Sequence, residues 1–199
     1  MENTNQVTLS GCIASEFIYS HEVLGEKFYT VNIAVARDSG TVDILPALFS
    51  ERLIDVTGSY INEPISIIGN FRSYNQHDEN KNHLLLYIFV ADYEWSGGSE
   101  KNNTAILEGF LCKKPVYRKT PLGREIADIL LAVNRPYGKS DYIPCICWGR
   151  NARYAETLDV GAHIKASGRI QSREYNKRIG EIETKKTAYE LSVGTLEIV

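Results

Sequence analysis

Tyr142 and Trp148 stand six residues apart in Asp141–Trp148, so on a strand their side chains share one face. Cys145 and Cys147 fall on the opposite face of that strand. Tyr137 precedes the pair and Tyr175 follows it. Cations are interleaved with these rings: Arg118, Lys119, Arg124, Arg135, Lys139, Arg150, Arg153, Arg169, Arg173, Lys177 and Arg178. Exposed rings accept unstacked bases, each worth about 1–3 kcal/mol, while cations track the phosphates. Long basic side chains can also lie over aromatic faces. This combination suits a single strand of nucleic acid. Any one ring could instead pack a core, and any one Arg or Lys could be a solvated charge. Their joint excess in one half of the chain carries the reading. No nucleophile–base arrangement, paired carboxylates or phosphate-binding glycine loop is evident, so no enzyme is expected.

The net charge of −3 conceals an asymmetry. Residues 1–102 carry 6 Lys+Arg against 14 Asp+Glu, a net of −8. Residues 103–199 carry 16 against 11, a net of +5. A polyanion is drawn to the second half and repelled by the first.

The four cysteines form no CxxC pair, and the four histidines show no metal-ligand spacing. No cofactor or metal is expected, and Cys145 and Cys147 read as small core residues. The polar start, Met1–Gln6, lacks the regions of a secretion signal. No apolar stretch approaches the ~20 residues that span a bilayer. The expectation is a soluble, cytoplasmic, nucleoid-associated protein without membrane contact.

Slid against itself by 98 positions, the sequence aligns residues 5–50 with 103–148 without a gap. Twelve positions are identical, among them Asn5/Asn103, Gly11/Gly109, Arg37/Arg135 and Asp43/Asp141. With one inserted residue, Gly69 meets Gly168 and Ser73 meets Ser172. The chain reads as two copies of one domain, 1–95 and 104–199. The polar, Gly/Ser-rich stretch 96–103 joins them.

In the second copy, strands are predicted at 105–111, 125–134, 142–148, 164–175 and 189–198. Periodicity alone leaves 125–134 open between helix and strand. Its counterpart Phe28–Val35 is β-branched and aromatic, which settles both as strands. A short helix is predicted at 151–158 and a basic hairpin turn at 176–180. The predicted fold is all-β: two tandem five-stranded OB-type barrels, each with a short helix between strands 3 and 4.

Several blocks resemble the bacterial single-stranded-DNA-binding protein (SSB) family. They are Lys114-Pro115-Val116-Tyr117-Arg118-Lys119-Thr120-Pro121-Leu122-Gly123, Leu131–Arg135, Ile143–Arg150 and Gly168–Tyr175. The resemblance covers essentially all of 103–199. It implies base stacking at Tyr137, Tyr142, Trp148 and Tyr175 and a basic contact at Arg118. It also implies a partner, single-stranded DNA, a role in replication, recombination or repair, and a homodimer with four barrels. Lys119 stands where many relatives have an aromatic residue. In copy one, Ser39, Ile44 and Ser50 stand opposite Tyr137, Tyr142 and Trp148, and only Phe49 and Tyr74 could substitute. Copy one is therefore expected to be degenerate and to serve assembly. The chain ends at Val199, so the acidic tail by which relatives recruit replication and repair proteins is not expected. The alternatives are a primosome-type or mobile-element docking module and an RNA-binding barrel.

Overall fold

The computed structural model describes residues 4–78, 81–96, 102–179 and 182–199. The first copy contains β1 (Asn5–Ile13), β2 (Ile18–Val23), β3 (Glu26–Ala36), β4 (Val42–Ser50), β5 (Pro64–Asp78) and β6 (Lys81–Trp95). The second contains β7 (Asn103–Leu111), β8 (Val116–Lys119), β9 (Glu125–Asn134), β10 (Ser140–Trp148), β11 (His163–Ile179) and β12 (Ile182–Ile198). One helix, α1 (Arg150–Glu156), lies between β10 and β11. Most of the connector predicted at 96–103 falls on 97–101, outside the described residues.

Alternation builds the barrel walls. Val31, Ile33 and Val35 of β3 point inward, as do Ile129, Leu131 and Val133 of β9. Each sheet closes on itself through β1–β3 or β7–β9, and each has one parallel pair, β4–β6 or β10–β12. This is the closed Greek-key arrangement of the OB barrel.

Three expectations need correction. Each barrel carries a sixth strand, β2 or β8, at the outer edge of its sheet. All six residues of β2 are exposed, so no inside–outside pattern announces it. Second, only the second barrel has the helix, with Ala152 and Ala155 buried beneath it. Residues 51–62 of the first barrel make turns instead. There Asp55 accepts the backbone N–H and hydroxyl of Thr57 (3.0 and 2.7 Å), a local bond that competes with helix. Phe17 packs edge-on against both Phe49 and Tyr60, and Tyr60 stacks on Trp95, closing that end with rings. Third, the β11–β12 ladder continues past Tyr175 to Ile179↔Ile182, through the predicted turn.

The barrels join by antiparallel pairing of β1 with β7, in which Val7 faces Ala105. These two are repeat equivalents, so the pairing places a pseudo-two-fold axis between them. Matching bulges follow at Ile68/Gly69 and Ser167/Gly168. Equivalent amides brace the two barrels. Asn5 bonds both the carbonyl and the N–H of Phe71 (2.7 and 2.8 Å), and Asn103 bonds those of Ile170 (2.8 and 2.9 Å).

Candidate nucleic-acid interface

β10 sets the centre of the interface. Its apolar alternation turns Cys145 and Cys147 into the barrel and leaves Tyr142 (42% exposed) and Trp148 (37%) outside. The Trp148 indole N–H donates to the Ser192 hydroxyl on β12 (3.2 Å), which fixes the plane of the ring. Beside it opens a cavity of about 660 Å³. Arg124, Arg169 and Arg173 line it together with Trp148, as a ring-and-cation site requires.

A fourth cation lining this cavity is Arg37, which belongs to the first barrel. Its Nε and Nη2 donate to the two oxygens of Asp43 (both 2.6 Å), and Nη2 also reaches the Ser172 carbonyl (3.3 Å). Asp43 has no exposed surface. It accepts the Ser172 N–H (2.7 Å) and hydroxyl (3.0 Å) across the seam. Burial pushes its carboxyl up, but the guanidinium and the two Ser172 donors outweigh that and hold it below the ordinary aspartate range. The paired carboxylate raises Arg37 in turn.

The pseudo-two-fold repeats the arrangement at the other seam. Arg135 Nε donates to Asp141 (2.6 Å), and its Nη2 donates to the Ser73 carbonyl (3.0 Å). Asp141 accepts the Ser73 N–H (2.6 Å). Tyr142 donates its own N–H to the Ser73 hydroxyl (2.7 Å). Arg135, read from the sequence as a phosphate contact, therefore sits in a clamp between barrels. Arg37, which the sequence reading passed over, reaches the Trp148 cavity. The signal was present: Arg and Asp six residues apart are identical in both copies.

The remaining residues spread around the second barrel. Tyr175 lies on β11 with the Arg173 guanidinium 5.9 Å from its ring centre. Arg173 also pairs with Glu190 (3.6 Å). Arg118 on β8 pairs with Asp128 (3.0 Å), and Lys119 is exposed at the end of the same strand. Arg150 is exposed at the start of α1, and Arg153 pairs with Glu125 (3.4 Å). Lys139 is exposed beyond the 3-10 turn Pro136–Gly138 that carries Tyr137. The side chains of Tyr137, Lys177 and Arg178 lie outside the described residues. Phe49, one of the two rings that could substitute in copy one, is fully buried and edge-on to Phe17. It is unavailable to a ligand. Among the described residues, no cluster of three His, Cys, Asp or Glu side chains is placed to hold a metal. Among the same residues, no helix is long and apolar enough to cross a membrane.

The model of the single-strand binding protein family matches residues 102–199. A single-stranded DNA-binding protein of Halalkalibacterium halodurans is 36% identical over 85 residues, 39% of this chain and 51% of that protein. Single-stranded DNA-binding protein A of Bacillus subtilis is 36% identical over 86 residues, 40% of this chain and 50% of that protein. The chain thus spans about half the length of the curated relatives it matches. The wild-type single-stranded DNA binding protein from Thermus aquaticus superposes with a TM-score of 0.77 at 19% identity, covering 98% of this chain and 92% of that one. Its likeness shows the fold, a tandem pair of OB barrels. The likeness to the single-strand binding protein family thus lies in the second barrel, residues 102–199.

Proposed function

We propose that this chain binds and protects single-stranded DNA in replication, recombination or repair, without catalysing a reaction. The observation that carries this reading is the exposed ring of Trp148, fixed by Ser192 and flanked by four arginines. Bases stack on Trp148, Tyr142, Tyr137 and Tyr175. Arg124, Arg169, Arg173 and Arg37 neutralise phosphates in the cavity. Arg118, Lys119, Lys139, Arg150, Lys177 and Arg178 extend the basic surface around it. The relatives' names and the +5 charge of residues 103–199 support the reading. Residues 104–199 form the main binding domain. Residues 1–95 serve assembly, and two chains associate into a set of four barrels.

Intrinsic Trp fluorescence during titration with oligo-dT, at two salt concentrations, tests this. Strong quenching in the wild type that vanishes in Trp148→Ala, with affinity weakened by salt, is the expected result. Trp95 stacks on Tyr60 at the far end of the first barrel and contributes a constant background. Absence of binding by either protein rejects the reading. Preference for oligo-U over oligo-dT would move it to RNA.

A further inference from the structure

The pseudo-two-fold allows the two outer faces to be compared residue by residue. Trp148 touches Ser192 on the neighbouring strand, and Ser192 faces Arg169 in the β11–β12 ladder. In the first barrel the position of Trp148 is Ser50. The position of Ser192 is Phe89, which faces Asn70 in the β5–β6 ladder. Ring and hydroxyl have changed places across the same pair of parallel strands. The platform lost from β4 reappears on β6. Single-sequence alignment of β4 with β10 cannot reveal this, because the replacement sits about 40 residues further along the chain.

Phe89 is half-buried and rests on the buried ring of Phe28, with centroids 5.9 Å apart. Over it lies the guanidinium of Arg72, 3.8 Å from the centroid. Arg72 faces Tyr87 in the ladder, and Tyr74, 59% exposed, follows on the same face of β5. Among the described residues no carboxylate comes within ion-pair distance of Arg72; its side-chain bond is to the Asn70 amide (3.4 Å). Burial, and then the neighbouring charge of Arg135, disfavour its protonated form, and the Asp141 carboxylate, beyond ion-pair distance, offsets them only in part. An arginine charge half out of water, with no carboxylate at ion-pair distance, is stabilised by an anion. A ring beneath it and an exposed tyrosine beside it match the demands of a base and its phosphate.

We propose that the first barrel holds its own stacking and phosphate site, built on Phe89, Arg72 and Tyr74 and flanked by Arg135 of the second barrel. It takes a further stretch of the single strand bound at Trp148, and so rests on the single-strand reading. On binding, Arg72 leaves the face of Phe89 for a phosphate, and a base takes its place. The acidic charge of the first copy makes this the weaker of the two sites, filled only when the strand is already held by the second barrel.

The test uses Arg72→Gln and Phe89→Leu, the latter keeping the apolar packing against Phe28. Each is titrated with oligo-dT of about 12 nucleotides, within the reach of one barrel, and of about 35, enough for both. Trp148 quenching by the short strand should match wild type in both variants. Affinity for the long strand should fall about fivefold or more, the loss of at least one stacked base or its phosphate. In a Phe89→Trp, Trp148→Phe protein, the long strand should quench the new indole and the short one should not. Long-strand affinity equal to wild type in both variants, with unchanged circular dichroism, overturns the proposal. Failure of the short strand to quench Trp148 in the wild type removes the single-strand reading itself, and this inference with it.

Discussion

The carboxylate of Asp43 in the first barrel accepts both the backbone N–H and the hydroxyl of Ser172 in the second. It also holds Arg37 in the cavity beside Trp148. One buried charge therefore joins the barrels and positions a cation of the binding surface. Asp43→Asn should cost at least about 2 kcal/mol, because it leaves a partly buried guanidinium unpaired and weakens the bonds from Ser172. Urea unfolding measures this.

The same carboxyl gives the seam a pH dependence. Its folded value lies below the ordinary aspartate value of about 4. The stabilisation is thus complete above that value and is lost as pH falls through the lower, folded one. Stability should be level from pH 7 to about 5 and then decline steeply. The Asp43→Asn protein should lose part of that decline, as read by urea midpoints across the pH series.

Arg37→Gln combined with Asp43→Asn removes the cation without leaving its partner charged and buried. The double variant should bind oligo-dT less tightly. The slope of log affinity against log salt should shrink by about 0.7, the share of one phosphate on a single strand. An unchanged slope would place Arg37 in the seam alone.

Gly168 sits at the β11 bulge and lines the Trp148 cavity. A Cβ there would collide with the carbonyl oxygen of Ser192, the residue that orients the indole. Gly168→Ala should destabilise the second barrel by about 3 kcal/mol and impair stacking. Thermal unfolding and Trp148 quenching should both register it.

Cys145 and Cys147 lie inside the second barrel. Burial pushes the Cys147 thiol up to about 12 and raises Cys145 well above its usual value. Neither should react with a thiol reagent at neutral pH until the protein unfolds, whereas exposed Cys12 should react in the native state. Mass spectrometry after brief alkylation distinguishes the three.

The repeat, the core strands and the outward face of Tyr142 and Trp148 were legible in the sequence, because each leaves a local pattern. β-branched and aromatic composition marked β3 and, through the repeat, β9, and even spacing set the cysteines opposite the rings. What escaped depends on pairing between distant segments. β2 has no buried face to give it a period. The helix expected in the first barrel came from its repeat counterpart at 151–158, whereas residues 51–62 make turns with Ile54 buried among them. Arg37 and Arg135 are identical residues with nearly identical bonds, yet only Arg37 lines the Trp148 cavity. The difference lies in what each meets across the seam. The equivalence of Phe89 to the Ser192 position emerges only from the strand register.

The β1–β7 ladder, centred on Val7 and Ala105, has a consequence for how such a surface can change over generations. In an assembly of identical subunits every substitution arrives in all copies at once, and both halves of a symmetric face must tolerate it. Here the two partners are encoded separately and cannot drift apart on dilution, because they are tethered. One half could exchange a tryptophan for a serine, and gain acidic charge, while the other kept its ring and its arginines. Fusion preserves the geometry of a pair and releases its members from having to be alike.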